Sequence, residues 1–149
     1  MDWKQYVSVG ALVVSVISFS LTYRLSTQTA TTSVRPALVF EYSQDTGWSL
    51  RNVGNGPALN VVIAERTDTS PWANPVRVPP LPKDGKIQLA WIAHQNVRTL
   101  GATYVDIDNR SYSSSCTNDL STTQDGNILG NWPDGEISRH WQLPKAELR

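Results

Sequence analysis

The chain has 149 residues carrying 13 basic and 13 acidic side chains, a formal net charge of zero. That excludes a general polyanion binder, which needs a basic excess to displace counterions. Cys116 is the only cysteine, which excludes an intrachain disulfide, and the length suffices for one small domain with a core of its own.

The chain opens on a tail, residues 1–5, followed by an uncharged apolar run over 6–23. As a helix, that run would span roughly 27 Å, about one bilayer core. Trp3, Lys4, Tyr6 and Tyr23 flank it where amphipathic groups favour an interface. The run therefore predicts one transmembrane helix and placement in an inner (plasma) membrane as a single-pass protein. Gln28 disfavours a small-x-small cut after Ala30, so the run reads as an uncleaved anchor. Lys4 stands against Asp2 on one flank and Arg24 and Arg35 on the other, which puts the following domain on the cytoplasmic side. Within the run, Ser8, Ala11, Ser15, Ser18 and Thr22 fall on one arc of about 80° at a 3–4 spacing. This stripe predicts a homo-oligomeric helix seam. The alternatives are hydroxyls bonded back to the carbonyl one turn earlier, or a polar pore lining.

A Ser/Thr-rich linker covers 24–35, and beyond it the periodicity becomes two. Strands are predicted over 37–43, 48–53, 58–66, a run containing Ile87, Leu89 and Trp91, then 100–107, 111–117 and 137–143. About seven strands with no soluble helix make residues 36–149 an all-β domain, an immunoglobulin-like antiparallel β-sandwich, with a small barrel as the alternative. Residues 70–83 hold five prolines and read as an extended crossover, and 118–135 read as the most mobile loop. Trp48, Trp91 and Trp141 lie in alternating patterns and read as core.

The segment Leu50-Arg51-Asn52-Val53-Gly54-Asn55-Gly56-Pro57-Ala58-Leu59-Asn60-Val61 resembles an L-x-N-x-G-x-G-P-A-x-N-V motif. That motif belongs to small bacterial single-pass membrane proteins with an immunoglobulin-like domain. Arg35-Pro36 and Tyr104-Val-Asp-Ile-Asp-Asn-Arg-Ser-Tyr112 are similar to segments of the same group, with Asn109 in place of a glycine. The resemblance covers most of 35–117 and implies a fold and an anchor, but no activity. Read from the residues alone, Gly54 and Gly56 would permit positive φ, Pro57 would fix the next strand's entry, and Asn52 and Asn60 would bond local backbone. The motif reads as a sandwich corner, with a ligand loop as the alternative.

Little points to catalysis, and the chain reads as a non-enzyme without cofactor or metal. His94 and His140 lie far apart in sequence, and Cys116 reads as a plain partly buried thiol. Asp106, Asp108 and Asn109 open like a calcium loop but lack its distal glutamate, so they read as a hairpin. Trp72 and Trp132 sit beside prolines in loops, where a tryptophan either plugs the sandwich or stacks on a ligand. In the second case Arg77, Lys83, Lys86, Arg98, Arg110 and Arg139 would supply phosphate contacts. The function expected is a membrane-anchored, oligomeric binding or signalling module with a cyclic-nucleotide or protein ligand, and no affinity for duplex nucleic acid. In layout it resembles CRISPR-associated antiviral membrane effectors that sense a cyclic oligonucleotide. The alternative is an envelope scaffold or adaptor whose periplasmic sandwich binds protein by strand addition.

Overall fold

The computed structural model describes residues 14–23, 34–67, 69–92, 99–117 and 120–145. They fall in two compact units, Met1–Ser33 and Val34–Arg149. In the first unit a helix covers residues 14–23, and Val14, Phe19 and Tyr23 on it are exposed. The membrane-spanning helix expected over 6–23 is corrected by this. Ten helical residues rise about 15 Å, half a bilayer core. No helix among the described residues is long and apolar enough to cross a membrane. The inner-membrane placement rested on that span and is withdrawn with it. Residues 6–13 of the run lie outside the described residues.

The described residues of the second unit form nine strands. β1 (Leu38–Ser43), β2 (Gly47–Asn52) and β5 (Lys86–Gln88) form a sheet in the order β1-β2-β5. The other sheet holds β3 (Leu59–Arg66), β4 (Ala73–Arg77), β6 (Thr99–Val105), β7 (Ser111–Thr117), β8 (Leu120–Asp125) and β9 (Ser138–Arg139), ordered β8-β7-β6-β3-β4-β9. All pairings are antiparallel except β4 with β9. Two sheets around one core are consistent with a β-sandwich.

Period-two alternation fills that core. β1 and β2 contribute Leu38, Phe40 and Leu50. Across from them, Leu100, Ala102 and Tyr104 of β6 stand in register with Cys116, Ser114 and Tyr112 of β7. Each large apolar side chain so buried contributes about 1.5–3 kcal/mol. Tyr104 also ties the sheets together: its hydroxyl accepts the Leu38 N–H at 3.2 Å and lies 2.9 Å from Ser114 Oγ.

Three sequence expectations are corrected. The crossover over 70–83 contains β4, despite Pro75. The register runs Val62↔Arg77, Ile63↔Val76, then Glu65↔Ala73, so Asn74 and Pro75 together oppose Ala64. Asn74 has φ +53°, and the proline occupies a bulge, where the ladder does not require its missing N–H. The loop over 118–135 contains β8, paired with β7 over six residues. Its Ser, Thr and Gln residues reflect exposure along its whole length. Trp141, expected in the core, is 65% exposed. After β9 the chain tightens into a 3-10 turn, His140–Gln142, and Trp141 lies outside with the Arg139 guanidinium 5.4 Å from its ring. Trp48 and Trp91 pack on the core partly buried.

Candidate functional site

The β3–β4 bulge also shapes a cavity. In a regular strand successive side chains face opposite ways. Here Ile63, Ala64 and Glu65 of β3 and Asn74, Pro75 and Val76 of β4 all border one space of about 450 Å³. Its apolar floor is core: Ile63, Val76, Ile92 and Leu100. Around it stand Trp91, Trp132, Glu136, Ser138 of β9, and Leu143-Pro144. Leu143 packs on the core cluster and thereby brings the chain's last described turn to the cavity. Asn74 Nδ2 donates to Glu65 Oε1 at 2.6 Å, which orients that carboxylate. The buried Trp132 Nε1–H has no hydrogen-bond partner in the structure.

Of the described candidate ligand-binding residues, only Trp132 lines this cavity. Trp72 packs on β6: a Cβ on Gly101 would come within 2.7 Å of its ring and 2.8 Å of Leu129. The glycine on β6 is thus the seat on which both side chains rest, and the Arg66 guanidinium covers the indole at 4.5 Å. Of the six cations, Arg77 and Arg139 are brought side by side as register partners on β4 and β9. Arg77 pairs with Asp134 at 2.9 Å. Lys86 of β5 pairs with Glu41 at 2.8 Å, and Lys83 is exposed in the turn before it. Arg110 is exposed at the β6–β7 hairpin, Arg139 lies against Trp141, and Arg98 falls outside the described residues. Of the helix stripe, Ser8 and Ala11 lie outside the described residues. Thr22 Oγ1 donates back to Ser18 O at 2.8 Å, as Ser20 Oγ does to Val16 O at 2.9 Å. These are the local bonds weighed against a seam.

The two sequence motifs are structural. Asn52 is fully buried at the corner. Its Oδ1 accepts the Ala37 and Gly54 N–H groups, and its Nδ2 donates to the Gly56, Leu81 and Pro82 carbonyls. Gly54 and Gly56 serve close approach rather than positive φ: a Cβ would lie 2.4 Å from Ala37 N and 1.6 Å from Val34 O, respectively. Within the two motifs, positive φ falls on Asn60, at the irregular step of β3 against β6, and on Asn109 in the hairpin.

At that hairpin Asp106 Oδ1 accepts the Asp108 and Arg110 N–H groups, and Oδ2 accepts the Tyr112 hydroxyl at 3.0 Å. The carboxylate organises a turn. Burial pushes its pKa upward, but the Arg110 N–H, the Tyr112 hydroxyl, the Asp108 N–H and the Arg110 charge outweigh that, leaving it below its ordinary value. Burial raises the Tyr112 pKa, and the Asp106 hydrogen bond and charge add to the rise. Cys116 is buried in the core. Among the described residues, no group of three or more His, Cys, Asp or Glu side chains could hold a metal ion.

Sequence reasoning missed Glu65, Asn74 and Glu136; Trp91 packs on the core as expected and also borders the cavity. The available signal was Asn74-Pro75 inside an apolar stretch, a bulge signature; nothing in the sequence showed that residues 132–144 return to it. Comparison with family models, curated proteins and solved structures returns no match.

Proposed function

We propose that residues 34–145 form a binding module of a signalling or adaptor protein, with the cavity beside β4 and β9 as its ligand site. The observation that carries this is the composition of the cavity: a concave apolar floor, two indoles and a few polar groups in about 450 Å³. That is the usual make-up of a small-molecule site. A role in binding rather than catalysis is supported by the core position of Cys116 and by His140, whose ring lies edge-on against Trp141 at 5.0 Å. An anionic ligand such as a cyclic oligonucleotide gains no support from this cavity, because no Lys, Arg or His among the described residues lines it. Kinship with small bacterial immunoglobulin-like proteins is part of the same proposal and rests on the corner and hairpin segments.

A fragment screen by thermal shift and tryptophan fluorescence tests the site, using the full chain and Ser138→Phe, which fills the cavity from its β9 side. Hits for the full chain that vanish in a folded Ser138→Phe variant support the reading; hits equal in both proteins refute it. A second reading, protein binding by strand addition, is favoured by β8, an edge strand exposed at all six residues. A proline in place of Thr122 or Thr123 would impair that mode and leave the fragment hits unchanged.

A further inference from the structure

β8 ends the larger sheet beyond β7 and is exposed at all six residues, so that both its faces meet solvent. β1 of the smaller sheet packs mainly over β7, which leaves β8 projecting past it. Besides its ladder to β7, β8 is tied down by a 3.2 Å contact between the Thr123 and Ser114 hydroxyls and by Arg35 on Asp125 at 2.6 Å. An edge strand presents a row of unpaired N–H and C=O groups, which proteins blunt with lysine, proline, a bulge or a very short strand. The edges β5 and β9 are only three and two residues long. β8 carries no lysine or proline, and its register against β7 runs unbroken over six pairs. It is a template for a further strand.

Its residues suit a copy of itself. Opposed residues of an antiparallel pair lie on one face and turn their backbone groups the same way. A strand paired with its own copy about a two-fold axis must therefore carry that axis on a residue, here Thr122 or Thr123 at the middle of β8. With the axis on Thr122, Leu120 opposes Gln124 and Ser121 opposes Thr123. With the axis on Thr123, Ser121 opposes Asp125 and Thr122 opposes Gln124. Either register sets hydroxyl beside hydroxyl and opposes no like charges, both of which favour pairing. The one charged side chain, Asp125, is already matched by Arg35.

We infer that β8 pairs antiparallel with β8 of a second copy of this chain, joining two six-stranded sheets into one. The inference rests on strand addition at β8 and names the partner.

Thr122→Cys, Thr123→Cys and Gln44→Cys, the last at an exposed position in the β1–β2 turn as a collision control, are oxidised as full chains. Cys116 is buried, so the parent should stay uncrosslinked. A residue on the axis meets its copy at about 4.5–5.5 Å between Cα atoms, within disulfide reach. One place off the axis it meets its copy diagonally at about 7–8 Å, beyond that reach. At least one β8 variant should form the disulfide dimer about 10-fold faster than Gln44→Cys, because pairing raises the effective thiol concentration. If neither exceeds Gln44→Cys, the inference is overturned. Strand addition as such fails separately, when no extended peptide from a displayed library binds the parent more tightly than Thr122→Lys.

Discussion

Asn52→Ala is the most revealing substitution in the β-domain, because one fully buried amide serves five backbone groups from three segments. The carbonyls of Leu81 and Pro82 also accept the Ala58 and Gly85 N–H groups, both at 2.9 Å, so they keep a partner when Asn52 is removed. The Ala37 N–H, the Gly54 N–H and the Gly56 carbonyl depend on the amide. A buried polar group stripped of its partner costs about 1–3 kcal/mol, and the corner is partly wet, so three together should cost about 3–5 kcal/mol. Against a total stability of about 5–15 kcal/mol for a domain of this kind, that is a large fraction. Guanidinium unfolding followed by tryptophan fluorescence should show a lowered midpoint at unchanged slope. Asn52→Asp retains the acceptor but turns a second carboxylate oxygen towards the Gly56 and Leu81 carbonyls, and should be at least as damaging at neutral pH. Asn55→Ala, at an exposed position in the same corner, should lie within about 0.5 kcal/mol of the parent. A loss below about 1 kcal/mol for Asn52→Ala would refute the reasoning and leave strand pairing as what holds the corner.

The hairpin gives a pH dependence with a definite sign. The pKa of Asp106 is lowered in the folded state, so its contribution is present above its unfolded value near roughly pH 4 and lost as pH falls through the folded value. Denaturation midpoints measured down this range should fall more steeply for the parent than for Asp106→Asn, and parallel curves would contradict the assignment. The Tyr112 pKa is raised, so its contribution is full below roughly pH 10 and is lost as pH rises through the folded value; Tyr112→Phe should flatten that alkaline limb. Gly101→Ala forces a methyl group to within 2.7 Å of the Trp72 ring. It should cost about 1–3 kcal/mol and red-shift the tryptophan emission, and an unchanged spectrum would show that Trp72 does not rest on Gly101.

Local patterning identified the β-class of residues 36–149. It also located β1, β2, β3, β6 and β7 closely: β1 alternates buried and half-buried residues with period two, while β6 and β7, buried over consecutive residues, were marked by the turn between them. It placed Asn52 and Asn109 correctly, since side-chain capping and positive φ are properties of a few adjacent residues. The glycines of the corner were recognised but for the wrong reason: the segment 34–37 that crowds Gly54 and Gly56 lies some twenty residues earlier in the sequence. β8 and β4 escaped for opposite reasons, one having no buried face to alternate and the other carrying a proline hidden in a bulge. The long apolar run suggested a bilayer span, whereas the helix among the described residues covers only 14–23.

The candidate site was the least legible part. Its residues come from β3, β4, β6 and β9, the turn at Trp91-Ile92 and the stretch 132–144, and no short window contains more than a fragment of it. Length, charge balance, one cysteine and strand periodicity follow from the sequence by itself, because each is either a sum over residues or a pattern between near neighbours. Which strands share a sheet, where a bulge breaks their alternation, and that two carboxylates and two indoles meet over one apolar floor are decided only by the tertiary structure, because these depend on contacts between residues distant in sequence.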